Sequence, residues 1–149
     1  MTRITFYVHE QAADTELWIC RLLDKIQRQG QQCTVWAPDT AALDSLDRRL
    51  WTYSQGSFVA HEQERQSVGD APIILCSAEP LNPQRQTVLI WAAAEYSEPP
   101  AFFASFQRCL EIVAGEEQLK QAARERYKFY RDRGYELETH NITPAQISD

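Results

Sequence analysis

Along Leu119-Lys120-Gln121-Ala122-Ala123-Arg124-Glu125-Arg126-Tyr127-Lys128-Phe129-Tyr130-Arg131, helical spacing sorts cations and apolar groups onto neighbouring stripes. At about 100° per residue, Leu119, Ala123 and Tyr130 share one narrow stripe that faces a core. Lys120, Arg124, Tyr127 and Arg131 form the adjacent stripe, with Lys128 at its margin. Like charges four residues apart repel along a helix, so such a row suggests a docking surface for something anionic. Lys and Arg can hold a carboxylate while an aromatic wall packs an apolar side chain, which suits a peptide with an acidic, aromatic end. The competing reading is a solvated face carrying Glu116–Lys120 and Lys128–Asp132 as ion pairs. Arg126 falls on the core stripe, and the sequence identifies no partner for it.

Other residues capable of chemistry do not assemble into a recognisable site. The first strand-to-helix junction reads His9-Glu10-Gln11-Ala12-Ala13-Asp14, without a glycine. A phosphate loop needs glycines so that the backbone can approach the phosphates, and two carboxylates would repel them. A nucleotide- or phosphate-binding enzyme on the same sheet is therefore the alternative rather than the main reading. Ser57 lies outside a G-x-S-x-G elbow, and His61-Glu62 lacks the second histidine of H-E-x-x-H. A Cys76–His61 thiol mechanism is conceivable by residue type, but nothing in the sequence positions the pair. Cys20, Cys33, Cys76 and Cys109 are far apart and sit in apolar segments, as buried reduced thiols do in a cytosolic protein. No metal site and no cofactor are expected.

The elements that must hold the basic stripe begin with a β-α-β-α pattern. Ile4 to Val8 reads as a strand, and Asp14 or Thr15 caps a helix with Ile19, Leu22, Leu23 and Ile26 on one face. Gly30 stands at its C-cap, Cys33 to Ala37 is a second strand, and Asp39 caps a helix carrying Leu43, Leu46 and Leu50. Ile73 to Cys76 and Val88 to Trp91 read as central strands, joined by the polar connection Ser77 to Gln86. Pro99-Pro100 is expected to open a third helix, with Phe103, Phe106, Cys109 (or Leu110) and Val113 facing inward. The basic helix then runs from beyond Gly115 to Gly134, and Tyr135 to His140 alternates like a last strand. The expected fold is α/β, a single three-layer Rossmann-like domain over residues 1–140 with a mostly parallel sheet and no glycine-rich nucleotide loop. Residues 141–149 read as a polar, flexible tail.

The 149 residues suffice for one domain with a proper core, and the net charge of −6 argues against general nucleic-acid binding. From Glu116 to Arg133 six basic residues face four acidic ones, while the rest of the chain is strongly acidic. A local basic patch on an acidic protein suits one defined acidic partner. The N-terminus lacks a signal-peptide h-region, no run reaches the length of a membrane span, and the chain reads as cytoplasmic. A second aromatic cluster lies in Leu50-Trp51-Thr52-Tyr53-Ser54-Gln55-Gly56-Ser57-Phe58-Val59-Ala60-His61. Trp51 and Phe58 either cap one end of the core or present an apolar patch to a protein partner.

Several segments taken in order resemble the chi subunit family of bacterial DNA polymerase III holoenzyme. They are Thr5-Phe6-Tyr7, Leu50-Trp51, Ser57-Phe58-x-x-His61, Ala123-Arg124-Glu125-Arg126-Tyr127-Lys128-x-Tyr130-Arg131 and Gly134-Tyr135, and they span the chain to about His140. Ala60 stands where the family commonly has proline. The resemblance implies a Rossmann-like fold without nucleotide binding and a non-catalytic accessory subunit of the clamp loader. It further implies two partners, the psi subunit and the acidic C-terminal tail of single-stranded DNA-binding protein. By resemblance the tail would bind Lys120, Arg124, Tyr127 and Lys128, with Val113 lining the apolar part. The psi surface would involve Trp51 and Phe58.

Overall fold

Every strand pairing among the described residues is parallel, so each strand must be reached by a crossover and the sheet is covered on both faces. The computed structural model describes residues 2–10, 14–54, 59–63, 71–79, 87–92, 96–114 and 116–143. In chain order these form β1 (Arg3–His9), α1 (Thr15–Arg28), β2 (Cys33–Trp36), α2 (Thr40–Thr52), β3 (His61–Gln63), β4 (Ile73–Cys76) and β5 (Val88–Ala92). A 3₁₀ turn (Ala101–Ser105), β6 (Arg108–Val113), α3 (Glu117–Asp132) and β7 (Leu137–Ile142) follow. The seven strands lie in the order β3-β4-β2-β5-β6-β1-β7. This is the α/β, Rossmann-like three-layer fold that the sequence implies. No helix among the described residues is long and apolar enough to cross a membrane.

Side-chain alternation divides the core in two. On one face Cys33, Val35, Ile73, Leu75, Val88, Ile90, Leu110 and Ile112 pack against Ile19, Leu23 and Ile26 of α1 and Leu43, Leu46 and Leu50 of α2. On the other, Ile4, Phe6, Leu89, Trp91, Cys109 and Val113 pack against Ala123 and Tyr130 of α3 and against Phe103 and Phe106. The caps are those the sequence suggests: Asp14 accepts from the Leu17 amide at 3.1 Å, and Asp39 accepts from the Ala41 amide at 2.9 Å. Arg49 of α2 reaches back to Asp14 and to Glu16 at 3.3 Å, tying the two helix ends together. Gly30 and Gly134 follow α1 and α3 with φ of 75° and 81°, the left-handed conformation that glycine adopts without a Cβ penalty.

Two expectations about elements are corrected. The third helix does not form; Pro100 leads into the short 3₁₀ turn, and Arg108–Val113 is the strand β6 between β5 and β1. A central parallel strand is buried on both faces, so its apolar run carries no alternation, and helical spacing from Phe103 to Val113 matches it by coincidence. The last strand is displaced to Leu137–Ile142, which brings Asn141 and Ile142 into the sheet. β3 was not anticipated, because its three residues, His61-Glu62-Gln63, are polar and lie at an edge. Much of the connection from Ser77 to Gln86 and the tail beyond Thr143 lie outside the described residues. All four cysteines are free and buried, and burial raises the Cys20 thiol to about 12.

His9, at the end of β1, is fully buried edge-on to Trp18, and neither ring nitrogen has a hydrogen-bond partner among the described residues. Burial lowers its pKa to about 4. A folded pKa below the unfolded value means that the unfolded chain takes up the proton first, so stability falls as pH drops from about 6.5 towards 4. The loss should reach on the order of 2–3 kcal/mol at the acid end of that window. Urea unfolding across this pH range should show the decline in the native chain and a flatter profile in His9→Leu.

Candidate functional site

The basic stripe is held in place by the residue on its core side. Arg126 is 1% exposed, and its guanidinium meets the buried carboxylate of Glu111 on β6. Arg126 Nε lies 2.8 and 3.0 Å from the two Glu111 oxygens, and Nη2 lies 2.8 Å from Oε1. Nη1 donates to the Tyr96 carbonyl at 2.7 Å, and the guanidinium stands 4.6 Å from the Trp91 ring centroid. Tyr130 donates to Glu111 Oε2 at 2.7 Å. Burial, with Cys109 and Glu111 adding to it, pushes the Tyr130 hydroxyl far above its ordinary pKa, so it remains a donor. Glu111 shares a sheet face with Phe6 and Trp91, its register partners on β1 and β5. An ion pair with a bidentate fork and an added hydroxyl fixes the rotation of α3 about its own axis. Glu111 is the residue the sequence reading lacks, and its isolation in the apolar run Cys109 to Val113 was the available signal.

With Arg126 and Tyr130 turned inward, the next stripe of α3 borders a pocket. Lys120, Ala123, Arg124 and Tyr127 line it from the helix, Phe6 and Val8 from β1, Val113 from β6 and Thr139 from β7. The cavity measures about 300 Å³. Its floor is apolar because Phe6, Val8 and Val113 alternate onto the α3 face of adjoining strands. Tyr127, 38% exposed, packs its ring 5.6 Å from that of Phe6 and forms one wall. Arg124 is held at 3.2 Å from Glu117 and 3.1 Å from Gln121 on its own helix. Lys120 makes no ion pair among the described residues. The ion pairs expected from spacing are replaced by Arg124–Glu117 and Lys128–Glu125, the latter at 3.5 Å.

Four of the five anticipated residues, Val113, Lys120, Arg124 and Tyr127, therefore meet at one cavity. Lys128 is not among the lining residues and extends from the exposed side of the helix. Phe6, Val8 and Thr139 complete the walls. They come from strands distant in sequence, which helical spacing cannot relate to α3.

A second feature surrounds Trp51 at the end of α2. Its indole is 58% exposed, yet it is anchored beneath. The ring lies 4.9 Å from His61, whose own side chain is buried. His61 Nε2 meets Asp47 at 2.7 Å, and Nδ1 meets the Val59 carbonyl at 2.7 Å. Gln63 donates to Asp47 at 2.7 Å and to Asp44 at 3.0 Å. Burial opposes ionisation of Asp47, but hydrogen bonds from Gln63, His61 and Trp51 outweigh it and hold the carboxyl below its usual range. Asp47 thus organises the Trp51 surface, one helical turn before the tryptophan. Phe58, expected beside Trp51, lies outside the described residues. The Cys76–His61 pair is not assembled: His61 packs under α2, while Cys76 belongs to the core on the α3 face. Among the described residues no group of three His, Cys, Asp or Glu could hold a metal ion.

The family model described as DNA polymerase III chi subunit, HolC, matches residues 1–138. The DNA polymerase III subunit chi of Pseudomonas aeruginosa is 35% identical over 144 residues, which cover 95% of this chain and 98% of that protein. The protein of the same name from Escherichia coli K12 is 29% identical over 146 residues, covering 93% and 97%. That from Haemophilus influenzae is 32% identical over 124 residues, covering 83% and 84%. The chain belongs to the DNA polymerase III chi subunit family.

Removing one member of a buried ion pair leaves the other charged and unpaired, at a cost of about 3–5 kcal/mol. Glu111→Ala should lose stability on that scale in urea unfolding. The double variant Glu111→Leu, Arg126→Met, which removes both charges, should recover most of the loss.

Proposed function

We propose that this member of the chi subunit family is a non-catalytic accessory subunit of a bacterial DNA polymerase III holoenzyme, working in the cytoplasm in DNA replication. It joins the clamp loader through a psi subunit and binds the acidic C-terminal tail of single-stranded DNA-binding protein. The observation that carries the tail reading is an apolar cavity bordered by Lys120, Arg124 and Tyr127 on a chain that is otherwise acidic. Such a cavity takes an apolar terminal side chain, and the cations at its rim take the carboxylates that accompany it.

In this reading Arg124 and Lys120 hold the terminal carboxylate and nearby aspartates, while Tyr127 and Val113 receive a terminal ring. Lys128 adds charge from outside the cavity, where it attracts the acidic stretch without touching the end. Arg124 exchanges its intrahelical bonds to Glu117 and Gln121 for the ligand. The exchange is inexpensive, because an exposed ion pair stabilises a helix by no more than about 1 kcal/mol. The psi surface is assigned to Trp51 and Phe58. An exposed tryptophan that is held in one orientation makes a good interface anchor.

Fluorescence anisotropy with a labelled acidic tail peptide tests the pocket. Arg124→Ala should weaken binding about tenfold or more, a loss of roughly 1.4 kcal/mol, and unchanged affinity would show that the pocket is misassigned. Glu117→Gln should tighten binding about two- to threefold by releasing Arg124. Added salt should weaken the native complex more than that of Arg124→Ala. For the second surface, Trp51→Ala should abolish co-purification with a psi subunit and leave peptide affinity unaltered.

A further inference from the structure

We propose that an acidic peptide whose end occupies the pocket continues as an added β-strand along the free edge of β7, bonded to the backbone of Thr139 and Asn141. The inference rests on the reading of the pocket as a receptor for a peptide end. It adds where the remainder of that peptide goes and what holds it.

A cavity of about 300 Å³ accommodates little more than one large side chain with its end group, so the rest of a peptide must leave it. The floor is β1 and β6, and one wall is α3 with Lys120, Arg124 and Tyr127. The opposite wall is Thr139, and Thr139 is also the rim of the sheet, because among the described residues β7 pairs only with β1.

The phase of the β1–β7 ladder leaves backbone groups of β7 pointing outward. The Ile4 amide donates to the Glu136 carbonyl and the Glu10 amide donates to the Ile142 carbonyl, both at 3.0 Å. A parallel ladder uses alternate residues of each strand, so Glu138, His140 and Ile142 direct their backbone groups to β1. The N–H and C=O of Leu137, Thr139 and Asn141 point away from the sheet, and no described residue bonds to them. Thr139 lies opposite Phe6 in register, so its side chain projects onto the α3 face, where it lines the pocket. One residue therefore faces the cavity with its side chain and the open edge with its backbone.

Among the described residues this edge is left open. Natural sheets commonly block an edge with proline, a bulge or an inward charge, yet Leu137-Glu138-Thr139-His140-Asn141-Ile142 carries no proline and pairs without interruption. Glu138 projects to the face opposite the pocket, 3.3 Å from His140, and so does not confront an acidic strand passing over Thr139. Strand addition beside a side-chain pocket divides the work: main-chain bonds supply affinity and the pocket supplies selectivity.

The test compares a short acidic peptide of about four residues with one of about ten that ends in the same sequence, long enough to run beside β7 at about 3.3 Å per residue. The longer peptide should bind about tenfold more tightly, and it alone should slow amide exchange at Thr139 and Asn141. Asn141→Pro removes an outward N–H that the β1 ladder does not use, so it should erase the length advantage and leave the short peptide unaffected. Asn141→Ala keeps the N–H and should keep the advantage. Equal affinities for the two peptides, or protection confined to α3, would overturn the added strand and leave the pocket standing. Edge protection that grows with protein concentration in the absence of peptide would also overturn it, by assigning the edge to a second copy of the chain. If neither peptide binds, the pocket reading fails and takes this inference with it.

Discussion

A carboxylate at the centre of a parallel sheet, on a strand buried on both faces, is the constraint around which the α3 side of this molecule is organised. Glu111 cannot be solvated where it stands, and an unpaired charge there would cost more than any nearby contact returns. It is matched by Arg126, and Arg126 can reach it only if α3 presents one particular face to β6. That choice also brings Tyr130 onto the second carboxylate oxygen and places Ala123 over Phe6 and Val113. At helical spacing, fixing Arg126 and Tyr130 inward fixes Lys120, Arg124 and Tyr127 at the adjoining cleft. The buried pair thus sets the direction of the surface cations, and its contribution is to orientation more than to net stability.

The cluster explains what the sequence could and could not disclose. The stripe was legible because a helix repeats locally, and residues three and four apart must share a face whatever they pack against. The sheet order was not legible, since it depends on which distant strands adjoin. Phe6 and Thr139 become walls of one cavity only because β1 lies between β6 and β7. Arg126 seemed misplaced on an apolar stripe because its partner is fifteen residues earlier on another element. Glu111 was concealed for a related reason. It sits in a segment whose buried, unalternating character fits a helix as well as a strand, and the helical reading left no account of its charge. A lone acid in an apolar run and a lone base on an apolar stripe were two halves of one observation.

The Trp51 region shows the same division at smaller scale. Asp47 and Trp51, four residues apart, are neighbours on α2 by local geometry alone. His61 and Gln63 come from β3, a polar edge strand of three residues without a hydrophobic pattern to announce it. Their hydrogen bonds to Asp47 make an exposed indole part of a fixed surface. The polarity that hid β3 from the sequence reading is the feature that anchors Trp51.

The sheet also determines how the two surfaces relate. Trp51 stands over β3 and the pocket opens beside β7, which are opposite edges of a seven-stranded sheet. Six strand spacings of about 4.8 Å separate those edges by roughly 29 Å. The two surfaces share no side chains, and at that distance exposed charges are screened from one another at physiological ionic strength. The helices over each end belong to different layers, with α2 on one face and α3 on the other, so occupation of one site does not require repacking of the core beneath the other. Strand order and layering together thus keep the Trp51 surface and the pocket apart in the fold.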